Sequence, residues 1–146
     1  MQLSPIEFTQ GQFKEIEAFL AHKIYEFNAN ATGFFDGEEF AATVRDASGC
    51  IIAGISGHTW GRCCTISQLW VHESARHRGV GKSLMLAVEA HAKNKSCTKI
   101  VLSSHSFQAP DFYDRLGYVE EARIAGNPRG HSDIHFGKYF VPGSRT

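Results

Sequence analysis

Arg76, Arg78, Gly79, Gly81, Lys82 and Ser83 fall within one short stretch, ARHRGVGKSLM, spanning Ala75 to Met85. Glycines let backbone N–H groups approach a ligand closely, and the three cations offer compensating charge. The residues before the stretch read as a strand and those after it as a helix. A helix start presents unpaired N–H groups and the positive end of the macrodipole, so the junction is a candidate seat for phosphate. Two well-known phosphate loops fail here. The G-x-x-x-x-G-K-[ST] pattern requires glycine where the chain has Arg76, and the later strand KIVLSSHS ends in Ser and His rather than in an Asp for magnesium. The G-x-G-x-x-G pattern is met by Gly79 and Gly81 but has Leu84 at its third place. A plain turn with a solvated basic face is the bland alternative. The coincidence of two glycines with three cations at a strand-to-helix junction favours the anion seat.

Other reactive side chains carry less information. Cys50, Cys63, Cys64 and Cys97 show no C-x-x-C spacing, so a zinc site is not expected and the thiols read as small apolar residues. The eight histidines offer groups that change charge near neutral pH. Formal net charge is zero over 146 residues, with 42% hydrophobic and 21% charged residues. That is the composition of one globular domain covering residues 1–146, with no global basic excess for nucleic acid. The N-terminus has no basic segment followed by an apolar run, and CIIAGISG is too short to cross a bilayer. A cytoplasmic protein with no membrane partner is expected.

The elements that must hold these residues follow from hydrophobic period. Leu3 to Phe8 suits a short strand. Phe13, Ile16, Leu20, Ile24 and Phe27 recur at helical spacing, and NANATGFFDGEE then reads as loop. FAATVRD, CIIAGISGHTW and CTISQLWVH suit an antiparallel meander. A helix follows from Val80 to about Lys95, then a buried strand in KIVLSSHSF, a short helix in APDFYDRLG, and a strand pair in YVEEARIAG and SDIHFGKYF. The strand–helix–strand unit over residues 65–107 makes two strands parallel in an otherwise antiparallel sheet. The fold class is a mixed α/β sheet.

Arg76-His77-Arg78-Gly79-Val80-Gly81 fits [QR]-x-x-G-x-[GA], and Ala109, Phe112, Tyr113, Leu116, Gly117 and Tyr118 fit A-x-x-F-Y-x-x-L-G-[FY]. Together with the NPRGH loop before FGKYF, these segments resemble the GNAT superfamily of acyl-CoA-dependent N-acyltransferases. The resemblance spans most of Phe40 to Phe140 and is strongest over residues 69–118. It implies a splayed, mostly antiparallel central sheet flanked by helices, with acyl-CoA lying between the two parallel strands.

The resemblance also implies roles. Leu69, Trp70 and Val71 would offer backbone to the pantetheine and to the thioester carbonyl. Arg76, His77, Arg78, Gly79, Val80, Gly81, Lys82 and Ser83 would cradle the pyrophosphate. Ser106 stands where many relatives carry a cofactor-binding Asn. Tyr113 matches the family's general acid, a phenol near pKa ~10 beside a leaving thiolate whose thiol has pKa ~8.5. The base stays open among His131, His58, His72, Glu73 and His105, with His131 placed first. Gln68 stands near a strand Glu of some relatives and cannot serve. Phe27, Trp60 and His131 are candidates for the acceptor side. The implied activity is acetyl transfer from acetyl-CoA, without a metal, to a primary amine of a small molecule by direct attack in a ternary complex. A protein or peptide acceptor and a non-catalytic acyl-CoA-binding module are the alternatives. The resemblance is compatible with a homodimer, which no residue pattern demands.

Overall fold

The computed structural model describes residues 1–140. They form two compact units, Met1–Phe35 and the chain from Asp36 onward. In the first unit, α1 covers Lys14–Thr32. It runs five residues beyond the expected apolar stripe, through Asn28 to Thr32, because two alanines sustain it and the chain turns only at Gly33, which caps it at φ 79°. The strand expected over Leu3–Phe8 is not formed. A strand needs a partner for its backbone groups, and the sheet begins instead with Glu38–Arg45.

The second unit holds β1 (Glu38–Arg45), β2 (Ile51–Trp60), β3 (Cys63–Val71), α2 (Val80–Asn94), β4 (Lys99–His105), α3 (Pro110–Arg115), β5 (Val119–Ala125) and β6 (Ser132–Tyr139). Glu73–Ala75 form one 3-10 turn between β3 and α2. The strand order is β1-β2-β3-β4-β6-β5, with β3 and β4 parallel and the other pairs antiparallel. The expected meander, βαβ crossover and final hairpin are therefore present.

Period-2 alternation sends Ala53, Ile55, Cys64, Ile66, Ile100, Leu102, Ile134 and Phe136 to one face of this sheet. Leu84, Met85, Val88 and Ala92 of α2, with Tyr113 of α3 and the adjoining Tyr118, complete that core. Glu89 is also buried there. Its Oε1 accepts from the Tyr118 hydroxyl at 3.0 Å and from Lys138 Nζ at 2.9 Å. A buried carboxylate is tolerated because both partners are in place.

One irregularity shapes the sheet's centre. The parallel ladder pairs only Cys63, Cys64 and Thr65 with Lys99, Ile100 and Val101. Directly beyond it, Ser56 faces Gln68 but Gly57 faces Ile66, so Ser67 is an extra residue on β3. Such a bulge bends its strand. β3 and β4 part at that point, leaving residues 66–71 and 102–105 as the two arms of an opening. Gly57 permits the bend, since a Cβ there would lie 2.1 Å from the Thr65 carbonyl oxygen.

Candidate functional site

Each arm of the opening leads into a helix. β3 runs through the 3-10 turn and loop 76–79 to α2, and β4 runs through Ser106–Ala109 to α3. Both helix starts therefore stand beyond the C-terminal ends of the parallel pair, a common position for ligand sites in parallel sheets.

The loop before α2 matches what an anion requires. His77 and Gly79 both take the left-handed conformation, at φ 61° and 77°. Alternating left-handed residues turn successive N–H groups inward to form a nest. His77 bears about 1 kcal/mol of strain that glycine would avoid. No side chain caps α2 and its first turn carries no acidic residue. Ser83 is the first to donate within the helix, to the Gly79 carbonyl at 2.9 Å, so the N–H groups before it face outward. Arg78, Lys82 and Ser83 are exposed around this concavity.

Two loop residues have structural duties not visible in the motif. Arg76 Nε donates to the Val71 carbonyl at 3.1 Å, tying the loop back to the end of β3. Gly81 lies against α3, where an added Cβ would meet the Phe112 ring at 3.3 Å. Its smallness serves helix-to-helix packing. Gly79, with nothing near its missing Cβ, is the glycine that serves the turn.

On the left arm, Leu69 and Val71 turn toward the core while Trp70 is half exposed. In the ladder these residues pair with β2, so alternate backbone groups lie on their other edge; the Val71 carbonyl is held by Arg76 Nε, and the others can meet an extended ligand. Gln68 is exposed beside the bulge. His72 serves as a cap: its Nδ1 accepts from the Ser74 N–H at 3.1 Å.

On the right arm, Tyr113 is 8% exposed, packed against Phe112, Tyr118 and Phe136 with ring centroids 5.1, 6.2 and 5.7 Å away. Burial pushes its phenol above the ordinary tyrosine range. The hydroxyl makes no hydrogen bond among the described residues. It is also not sealed in, since His91 Nε2 is the one fully enclosed side-chain polar atom lacking a partner among them. Phe112 links Tyr113 to the start of α2 through its contact with Gly81. The Tyr113 phenol and the start of α2 thus stand two rings apart.

Ser106 is engaged on both its groups. Its N–H donates to the Ser132 carbonyl at 2.8 Å and its Oγ accepts from the Ser132 N–H at 3.0 Å. The hydroxyl proton and a second Oγ lone pair remain for a ligand. The same contacts bring His131 beside it, with the His131 ring edge-on to Phe107 at 4.9 Å and His105 stacked on Phe107 at 5.3 Å.

Tyr113, Ser106, His131 and the loop over residues 76–83 therefore gather at one end of the parallel strands. Trp60 does not join them. It pairs with Cys63 at the closed end, and β3 separates it from Val71 by about 25 Å at ~3.3 Å per residue. Phe27 lies on α1 in the Met1–Phe35 unit. His58 faces out from β2.

The Acetyltransferase (GNAT) family model matches residues 6–118. The chain belongs to the GNAT acetyltransferase family. It is thus an acyltransferase, with the splayed mixed sheet expected from its motifs. The GNAT chain is 33% identical over 94 residues to the blasticidin-S acetyltransferase of Streptomyces morookaense, covering 64% of this chain and 69% of that one. An acetyltransferase structure from Bacillus cereus ATCC 14579 superposes with a TM-score of 0.76 at 32% identity, over 91% of this chain and 97% of that one. An aminoglycoside 6'-N-acetyltransferase complexed with coenzyme A shares the fold at a TM-score of 0.64 and 15% identity, over 90% and 97% of the two chains. GNAT neighbours thus bind coenzyme A. Among the described residues no helix is long and apolar enough to cross a membrane, and no group of three or more His, Cys, Asp or Glu could hold a metal ion.

Proposed function

We propose that this GNAT protein moves the acetyl group of acetyl-CoA to a primary amine on a small molecule, by direct attack in a ternary complex. The observation that carries the reading is the uncapped start of α2, with left-handed His77 and Gly79 and the exposed Arg78 and Lys82, beside the opening between β3 and β4. Pyrophosphate fits that concavity by charge and by donor geometry. The pantetheine then runs along Leu69–Val71, where unpaired strand-edge groups can bond its amides. Ser106 has a hydroxyl proton to give it.

The amine attacks the thioester carbonyl, a C–N bond forms and the C–S bond breaks. Tyr113 hydrogen-bonds to the leaving thiolate and passes it a proton. Burial raises a phenol's pKa, and the same dry surroundings raise that of a thiol, so the two stay matched. A strand-edge N–H facing the carbonyl oxygen stabilises the developing oxyanion. His131, beside Phe107, touches the acceptor. Direct attack is favoured over an acetyl-cysteine because burial raises the thiols of Cys63, Cys64 and Cys97, that of Cys64 to about 12.

The test is thiol release from acetyl-CoA by the purified full chain with a panel of primary amines. The panel includes blasticidin S and an aminoglycoside, the acceptors in the relatives' names. Turnover with at least one small amine, and a product heavier by one acetyl group, is the expected result. Tight coenzyme A binding with no turnover would reduce the protein to a binding module. Acetylation of proteins alone would overturn the small-molecule assignment.

A further inference from the structure

β6 carries a second reactive pair that the motifs do not mark. Asp133 and His135 are two residues apart on one strand and so share a face. Asp133 Oδ2 lies 3.2 Å from His135 Nε2, with side-chain exposures of 14% and 46%. His135 stands opposite Ser103 of β4, and Asp133 opposite His105. Both β4 residues lie past Val101, on the arm that has left β3. Their neighbours Ile100, Leu102, Ser104, Ile134 and Phe136 are buried, so Ser103, His105, Asp133 and His135 occupy the face turned away from α2 and α3.

This arrangement bears on where the acceptor comes from. α2 and α3 pack on the core face, and His135 lies on the other one. His135 stands one strand spacing from Ser103, about 4.8 Å, and the far edge of β4 borders the opening. Resting on the acetyl-transfer reading above, we infer that His135, held by Asp133, is the base that deprotonates the incoming ammonium. Nε2 faces the Asp133 carboxylate at ion-pair distance, which leaves Nδ1 as the nitrogen turned to the amine. Nδ1 has no partner among the described residues. It takes one proton from R–NH3+, directly or through a water, and the neutral amine then attacks. The resulting imidazolium is stabilised by Asp133, as in other His–carboxylate pairs. Thiolate leaves with the proton from Tyr113, and the phenolate recovers a proton from the nitrogen as the adduct collapses to the amide. Overall, ammonium and thioester become amide, thiol and one proton, released later by His135.

His131 offers less, because its ring packs on Phe107 and no carboxylate orients it. The charged and titratable groups around His135 are Asp133 on β6, His105 and Lys99 on β4, and Glu121 on β5. Glu121 accepts from the Tyr139 hydroxyl, and Lys99 lies over the Tyr139 ring. Arg123 is paired with Glu120 on β5.

The test compares wild type with His135→Gln, Asp133→Asn and His131→Gln in the full chain. Two acceptors are used: an ordinary primary amine, and a weakly basic amine that is neutral at pH 6. His135→Gln should lower kcat/KM about 10²-fold at pH 7 with the ordinary amine and flatten the acidic limb of the wild-type pH profile. With the weakly basic amine it should stay within about threefold of wild type, and acetyl-CoA affinity should hold. Asp133→Asn should lower kcat more than it changes KM. His131→Gln should change KM for the amine but keep the limb. Equal losses with both amines, or an unchanged limb in His135→Gln, would overturn the assignment while leaving the acetyl-transfer reading intact. A wild type that releases no thiol with any amine would remove both.

Discussion

Tyr113→Phe separates catalysis from stability. The hydroxyl of Tyr113 has no hydrogen bond to lose among the described residues, and its ring contacts with Phe112, Tyr118 and Phe136 persist in phenylalanine. Folding stability should therefore change by no more than about 0.5 kcal/mol, or about 1–2 °C in Tm for a chain of this size. If the phenol supplies the leaving thiolate's proton, kcat should fall about 10²-fold, equivalent to about 2.7 kcal/mol of barrier. KM for acetyl-CoA should stay within about threefold, because the proposed phosphate seat lies at α2. Tyr118→Phe is the matched control. Its hydroxyl donates to the buried Glu89 carboxylate at 3.0 Å. Losing that bond should cost about 1.5–3 kcal/mol of stability while kcat holds. Initial rates by thiol release, with denaturant curves on the same preparations, give both quantities. A Tyr113→Phe enzyme within threefold of wild-type kcat, or one that loses rate only in step with unfolding, would refute the reasoning.

Gly57→Ala should destabilise the fold by more than about 4 kcal/mol, visible as a lost or shifted denaturation midpoint, because its Cβ would collide with the Thr65 carbonyl at 2.1 Å. Lys82→Ala should weaken coenzyme A binding several-fold and reduce its salt dependence in titration calorimetry, with Tm unchanged, since Lys82 is exposed at the anion seat. Burial raises Tyr113 and Tyr118 in the folded state, Tyr118 further through Glu89, so the unfolded chain loses these protons first as pH rises. Their contribution is complete below about pH 10 and declines above it, so denaturant midpoints should fall there, and less steeply in Tyr118→Phe. A thiol reagent at pH 8 should modify the exposed Cys50 well before Cys64 or Cys97, without loss of activity.

Much of this protein is written in short-range spacing. Arg76, Gly79 and Gly81 identify a loop because an anion nest is built from consecutive backbone groups. Val80, Leu84 and Val88 mark α2 because one helical face repeats every three to four residues. Tyr113 stands out through the resemblance of its F-Y-x-x-L-G segment to the family's motif, a pattern that is also local in the chain. What remained hidden depends on residues far apart in the chain. The parting of β3 and β4 follows from a bulge at Ser67 that only the pairing with β2 reveals. That Gly81 also lies against Phe112 of α3 is set by the packing of two helices and has no signal in the loop motif. Trp60 is an acceptor-side candidate in the sequence, and the strands' direction places it at the closed end, opposite Cys63. Asp133 and His135 had a local signal, an i, i+2 pair in a strand. Its meaning rests on which face the core claims and on β4 lying alongside, so it is a fact of the sheet rather than of the segment. Residue spacing thus determined the kinds of chemistry available, and the tertiary fold decided which groups could reach the same bond.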